Sequence, residues 1–356
     1  MSILIKYGLT DRFSNEATVY PELSIARITA QYRGQYKIVT EQGELQAEIS
    51  GKLRFETTEL AKFPTVGDFV MVSAQSHDGN AMIHHVLTRK SVFLRTAVGV
   101  SGQAQSVAAN IDTVFICMSL NNNFNLSRLE RYLSVAWDSG ATPVILLTKS
   151  DLCEDLGSAV SEVERVSSFS DVIPLSAYDE RIEQKLSKHL KSGTTSAFIG
   201  SSGVGKSTLI NKLLGEDILA TADIGKADKG RHTTTGRELF LSPFGGVLID
   251  TPGMRELGAE SVDLGKTFDD IEDLASHCKY RDCTHTSEPD CAILAALAQG
   301  TLDRRRFQNY CKLKIEAGYD GLNAKEIEVK KLERMFKDVG GMKNMRRFAK
   351  EQHKNK

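Results

Sequence analysis

Residues 200–207 read Gly200-Ser201-Ser202-Gly203-Val204-Gly205-Lys206-Ser207 and fit G-x-x-x-x-G-K-[ST] at every fixed position. The glycines let backbone N–H groups curl around phosphate oxygens, and the positive end of a following helix points at the same place. Lys206 is placed to reach β- and γ-phosphates, and Ser207 to ligate Mg²⁺. The chemistry needs a strand before the loop and a helix after it. The apolar run Ser196–Ile199 supplies the first, and a helix running on through Thr208 to Leu214 the second. The alternative is a glycine-rich turn containing Gly-Lys-Ser by chance.

The loop names a nucleoside triphosphate without naming the base. Asp250-Thr-Pro-Gly253 closes the run Gly246–Ile249, where Asp250 can hold a Mg²⁺ shell through water and the Gly253 N–H can meet a γ-phosphate. Between them, Thr233-Thr234-Thr235 offers a hydroxyl, assigned to Thr234, that closes on Mg²⁺ when triphosphate is bound. A flexible surface loop would have the same composition. An acidic residue reading guanine N1 and N2 would select GTP. Thr148-Lys149-Ser150-Asp151 lies at the end of the strand-like run Val144–Leu147, and Ser176-Ala177 resembles a signature that supports guanine through a backbone N–H. Both precede the glycine loop, so the order is base, base support, phosphate loop, switch, Asp-Thr-Pro-Gly.

A second cluster, Cys278-x₄-Cys283-x-His285-x₅-Cys291, offers three thiolates and an imidazole. Structural zinc takes Cys₃His tetrahedrally, though the spacing is not the usual zinc-finger one. Free thiols or a disulfide are the alternatives, and a reducing compartment argues against the disulfide. Six cysteines in 356 residues are no disulfide framework; Cys117 and Cys153 read as inert thiols, and Cys311 sits in the basic tail.

These groups need elements to position them. Short alternating runs at Ile25–Tyr32, Tyr36–Val39, Leu45–Ile49 and Phe69–Val72 predict a small β-barrel of the OB type over about residues 20–90. Strands and helices then alternate over about 108–260, the pattern of a parallel sheet covered by helices. The sequence divides into an OB-type RNA-binding domain with an N-terminal extension (1–95), an α/β P-loop domain (96–260) and a helical domain with the Cys/His cluster and a basic tail (261–356). An apolar fraction of 41% and a charged fraction of 26% exclude a disordered chain, a fibre and a rod. No apolar run nears the roughly 18 residues of a membrane span, and the start is too short and polar for a secretory signal, so the expected location is cytoplasmic.

Net charge is −1, yet residues 301–356 hold 16 Lys and Arg against 8 Asp and Glu. Lys330, Lys331, Arg334, Lys337, Lys343, Arg346, Arg347 and Lys350 suit phosphate contact, with a solvated helical face as the alternative. Tyr32, Arg33, Tyr36 and Lys37 on the first barrel hairpin are candidates for stacking and phosphate contact.

The motif order is a circular permutation of the GTPase sheet. On Thr148–Asp151, Gly200–Ser207, Gly230-Arg-His-Thr-Thr-Thr235, Asp250–Gly253 and the Cys/His cluster, the whole chain resembles the ribosome-small-subunit-dependent GTPase A family. The resemblance implies a protein that binds the small ribosomal subunit and its rRNA, hydrolyses GTP when stimulated by it, and assists its late maturation; a monomer is the default expectation. It implies one structural zinc on Cys278, Cys283, His285 and Cys291, with His277 a less favoured ligand. Met254 stands where many GTPases place a water-orienting Gln, and a thioether cannot hold water. The resemblance points instead to His232 as the catalytic group. One departure is Thr148, where the family has Asn; looser base affinity is expected. Two other readings stand beside this one. A GTP-switched RNA-binding assembly factor would turn over negligibly. A P-loop kinase or ATPase would leave the base-reading motifs unexplained.

Overall fold

The computed structural model describes residues 2–32, 34–73, 80–96, 103–218, 237–250, 264–319, 322 and 324–335. Two short helices, α1 (Ile3–Lys6) and α2 (Asp11–Ala17), lead into β1 (Ser24–Gln31), β2 (Tyr36–Thr40) and β3 (Gly43–Ile49). Helix α3 (Gly51–Glu56) follows, then β4 (Phe69–Ser73) and β5 (Ala81–Val86). The order β1-β2-β3-β5-β4 closes through β4 on β1, a five-stranded barrel in which β3 and β5 run parallel. This is the expected OB-type topology. Successive strand residues face opposite sides. Tyr36 and Ile38 therefore both enter the barrel core, at 4% and 0% exposure. That removes Tyr36 as a stacking group. Tyr32 is exposed but its hydroxyl donates to Glu238, and Lys37 pairs with Glu44. Arg33 lies outside the described residues.

A hairpin of β6 (Val92–Thr96) and β7 (Ala104–Ala109) joins the barrel to a layered sheet. That sheet is built from β8 (Thr113–Ser119), α4 (Leu126–Asp138), β9 (Thr142–Thr148), α5 (Leu156–Val166), β10 (Asp171–Pro174) and α6 (Ile182–Leu186). It continues through β11 (Thr195–Ile199), α7 (Lys206–Leu214), β12 (Arg237–Leu241) and β13 (Val247–Asp250). The strand order is β10-β9-β8-β11-β13-β12, parallel except for β12. The strands are apolar on both faces, as buried parallel strands must be. Val114, Ile116, Ile145, Leu147, Ala197 and Ile249 pack on one side, and Phe115, Cys117, Leu146, Phe198 and Leu248 on the other.

Barrel and sheet share main-chain hydrogen bonding. Strand β1 pairs with β12, Ala30 opposite Glu238, so a single sheet runs through both. Arg27, 1% exposed, pins this junction. Its guanidinium donates to the Tyr7 and Gly67 carbonyls and to Thr195 Oγ1, and it lies over the Phe69 ring. Burial pushes its pKa down to about 10, which leaves it charged at neutral pH.

The C-terminal part is helical: α8 (Leu264–Thr267), α9 (Asp269–Ser276), α10 (Ala292–Gln299), α11 (Arg304–Ala317) and α12 (Ala324–Met335). These helices agree with the helical C-terminal part expected from the sequence. Phe268, Ile271, Ile293, Tyr310 and Leu313 form its small core. No helix among the described residues is long and apolar enough to cross a membrane.

Candidate nucleotide site and metal centre

The parallel strands end on one edge of the sheet, and the sequence motifs meet there. Strand β11 lies between β8 and β13, and the loop Gly200–Gly205 leaves its end. Such a crevice beyond the carboxyl ends of parallel strands is where open α/β sheets take ligands. Gly200 has φ +144°, and a Cβ there would lie 2.4 Å from the Cys117 carbonyl oxygen. Only glycine lets the loop cross β8 this closely. The Cys117 thiol beneath it is pushed up to about 12 by burial, so it stays neutral. Helix α7 then starts at Lys206 with no side-chain cap. Its first N–H groups are thus turned toward the loop. Lys206 Nζ donates to the Gly200 and Ser201 carbonyls, 2.7 Å each. Ser202 and Gly203 are exposed, Val204 is buried, and Ser207 and Thr208 are partly buried in the first helical turn.

Thr148 ends β9 beside this loop and is 7% exposed. Its hydroxyl donates to the Val204 carbonyl at 2.6 Å. The position that is Asn in the resembling family thus still braces the loop, with its one proton used for that. Lys149 follows in the left-handed region at φ +57°, which turns the chain so that Asp151 emerges exposed. The Ser150 N–H donates to the Leu175 carbonyl, and Ser176 Oγ donates to Asp151 Oδ1 at 2.6 Å. Ser176 Oγ in turn accepts from the Tyr178 N–H. Asp151 and Ser176 are therefore joined across the ends of β9 and β10, with Ala177 next in the chain. Asp250 ends β13 on the other side of the loop. Gly253, His232 and Thr234 lie outside the described residues.

The four predicted metal ligands come together as well. Cys278, Cys283, His285 and Cys291 place their ligand atoms within 4.8 Å of one another. Cys278 Sγ lies 3.8 Å from Cys291 Sγ, and His285 Nδ1 lies 3.6 and 3.5 Å from those two sulfurs. A tetrahedron with zinc–sulfur bonds of about 2.3 Å and zinc–nitrogen bonds of about 2.0 Å has edges of roughly 3.8 and 3.5 Å. A disulfide would bring two sulfurs to about 2.05 Å. The arrangement fits a tetrahedral soft-metal site. Burial pushes the His285 pKa down, and Lys314 adds to it, so the imidazole stays neutral with a lone pair to give. His277 turns its Nδ1 to the Asp273 carbonyl instead.

With this geometry in view, comparison with known proteins is direct. The RsgA GTPase family model matches residues 86–260, which hold every nucleotide-site motif. Small ribosomal subunit biogenesis GTPase RsgA 2 of Lactiplantibacillus plantarum is 49% identical over 353 residues, 99% of either chain. Small ribosomal subunit biogenesis GTPase RsgA of Methanosarcina acetivorans is 43% identical, over 96% of this chain and 93% of that one. The chain belongs to the RsgA GTPase family. Its fold agrees with YjeQ from Thermotoga maritima, at a TM-score of 0.60 and 26% identity over 83% of this chain and 98% of that one. YloQ, a circularly permuted GTPase, matches in fold at a TM-score of 0.59. This RsgA-family chain is a permuted GTPase: β8, β9 and β10 precede the glycine-loop strand in sequence and lie to one side of it in the sheet.

Three contributors in this RsgA-family chain escape sequence reading. Glu288 accepts from the Thr284 and Thr286 N–H groups on either side of His285, both at 2.9 Å, and so holds the ligand turn. Those bonds and the Thr284 hydroxyl hold its carboxyl well below the usual range. Asn123 and Arg128, in and after the β8–α4 loop, both reach Ser201. Nothing in their spacing announces it; the Asn-rich stretch Asn121–Asn125 is the only trace.

Proposed function

We propose that this GTPase binds the small ribosomal subunit and its rRNA, hydrolyses GTP under its stimulation and assists its late maturation, acting in the cytoplasm as a monomer. The observation that carries the nucleotide part is the convergence of Thr148, the Asp151–Ser176 pair, Gly200–Ser207 and Asp250 on one sheet edge. The names of the relatives support the ribosomal part. The units at 1–95, 96–260 and 261–356 divide the work: RNA contact, GTP turnover and metal-stabilised RNA contact.

In this reading Lys149, Ser150 and Asp151 line the base, and the Asp151 carboxylate accepts from guanine N1 and N2. Adenine offers no such pair of donors on that edge and would leave the carboxylate unpaired, which is how polar readout discriminates strongly. The Ala177 N–H supports the base. The Ser201–Gly205 N–H groups cradle phosphates, Lys206 shifts from its loop carbonyls to β/γ oxygens, and Thr208 continues the cradle. Ser207, in the first turn of α7, is a hard oxygen ligand that fits Mg²⁺, with Thr234 joining it, and Asp250 at the end of β13 holds the Mg²⁺ shell through water. Bound with GTP, Mg²⁺ neutralises charge on the phosphates. Gly253 meets the γ-phosphate, and His232 orients the attacking water. Cys278, Cys283, His285 and Cys291 hold one structural Zn²⁺.

Thr148→Val keeps the shape and deletes the hydroxyl, leaving the buried Val204 carbonyl unpaired. Such a loss costs about 1–3 kcal/mol, so GTP and GDP should bind about tenfold more weakly with their preference over ATP unchanged. Fluorescent-nucleotide titration checks it. His232→Ala should lower subunit-stimulated kcat by roughly 10²-fold, the usual worth of a positioned proton-handling group, with nucleotide affinity near wild type. The ribosomal reading is tested by GTP turnover with and without small ribosomal subunits. A tenfold or larger rise, as a rough threshold above weak association effects, supports it. An unchanged rate would reject it.

A further inference from the structure

We propose that Arg128 is a positioning residue of the phosphate loop, and that the C-terminal domain sets its hold by gripping the same helical turn. The inference rests on the GTP site proposed above. Asn121 Oδ1 accepts from the Asn123 N–H and from Ser119 Oγ, which folds the β8–α4 loop back over the glycine loop. Asn125 Oδ1 caps α4 by accepting from the Arg128 N–H at 2.9 Å. Arg128 leaves this first turn, and its Nη1 donates to Asn123 Oδ1 at 2.7 Å and Ser201 Oγ at 3.1 Å. Asn123 Nδ2 donates to the same Ser201 Oγ at 3.0 Å. Both lone pairs of that hydroxyl are thus engaged, which fixes the Ser201 rotamer and the second residue of the loop. One of the two donors is a guanidinium, and charge-assisted bonds are the stronger kind.

The same turn carries the docking of the C-terminal domain. Glu130 is fully buried and accepts from Arg305, Arg306 and Asn309 of α11. Ser127 Oγ accepts from Arg305, the Ser127 carbonyl accepts from Asn309, and Arg131 pairs with Glu316. Residues 127, 130 and 131 thus face α11, while residue 128 between them holds Ser201. A helical turn is stiff, so a shift of α11 on Glu130 moves the Arg128 backbone with it. A displacement near 1 Å at a positioning group is enough to change a rate by up to about 10²-fold. The C-terminal domain carries the metal cluster and the basic tail. Whatever that domain binds is thereby linked to the phosphate loop, with no contact to nucleotide required.

The experiment measures kcat without ribosomal subunits, and the dissociation constants of fluorescent GDP and a non-hydrolysable GTP analogue, on the full chain. Arg128→Ala should lower kcat about tenfold with nucleotide affinity changed less than about threefold, a split that a merely structural loss would not give. Arg128→Lys keeps the charge but cannot bridge Asn123 and Ser201 together, and should fall between. Ser201→Ala should reproduce Arg128→Ala, and it serves if Arg128→Ala does not fold. Arg305→Ala leaves Arg306 and Asn309 on Glu130, and should lower kcat by about threefold in wild type yet add nothing in the Arg128→Ala background. Wild-type kcat in both Arg128→Ala and Ser201→Ala overturns the positioning role. Full additivity of Arg305→Ala and Arg128→Ala overturns the link to the C-terminal domain. Wild-type protein that binds neither GDP nor the GTP analogue would instead reject the GTP site itself.

Discussion

Lys206→Ala should abolish GTP turnover, lowering kcat/KM by at least about 10²-fold, the scale expected when one preorganised charge is removed from a developing anion. Lys206 supplies that charge at the start of α7. Its ammonium rests on the Gly200 and Ser201 carbonyls, at 2.7 Å each, directly over the loop. The lysine side chain contributes little to folding. The buried face of α7 is Leu209, Ile210, Leu213 and Leu214, which the substitution does not touch. Circular dichroism and thermal unfolding should therefore match wild type while phosphate release vanishes. Lys206→Arg should not rescue, because a planar fork cannot occupy the place of a compact ammonium. Retention of turnover within threefold of wild type would remove this loop from the chemistry.

Removing the zinc proposed for the Cys/His cluster should have the second large effect. Chelation, or Cys283→Ser, should unfold the segment from α9 to α10 and release α11 from α4. The small core of this part has few fully buried large side chains, among them Phe268, Ile271, Ile293, Tyr310 and Leu313. Cys278 and Cys283 pack against it, so the ligands are part of the core rather than an appendage. Structural zinc in small domains contributes about 10 kcal/mol or more to folding, beyond what this core can replace. Limited proteolysis should cut within residues 269–302 once metal is removed, with cleavage reversed by added Zn²⁺. Metal-free protein with unchanged protease resistance would contradict a structural role. Elemental analysis of the purified chain identifies the metal independently.

How far the sequence reaches depends on the range of the physics involved. Apolar runs such as Val144–Leu147 and Ser196–Ile199 announce buried strands because both faces must be covered, and they were legible to within a residue or two. The permuted order was legible because each motif sits at a strand end. The Cys/His cluster was legible because its ligand types are rare together. Tyr36 was misjudged because aromatic type was given more weight than strand phase; period two places it with Ile38 in the core. The pairing of β1 with β12 was illegible, since it joins residues far apart in the chain, Ala30 and Glu238, that carry no shared local pattern. The burial of Arg27 and Glu130 was illegible for the same reason: their partners, Thr195 and Arg306, are distant in the chain. Helices α8 and α9 are too short for helical periodicity to declare itself. Thr148 shows the reverse case. Its identity was legible as a departure, but only its 2.6 Å bond to the Val204 carbonyl shows that it braces the glycine loop.

The central claim is that base-reading, phosphate and Asp250 elements, scattered in permuted order, form one GTP-specific hydrolytic site. The most direct test is steady-state phosphate release from GTP and from ATP under identical conditions, with and without small ribosomal subunits. The account predicts turnover of GTP, little or none of ATP, and a large rise with GTP alone when subunits are added. Equal turnover of the two nucleotides would mean that Asp151 does not read the base, and the account of the site would fail.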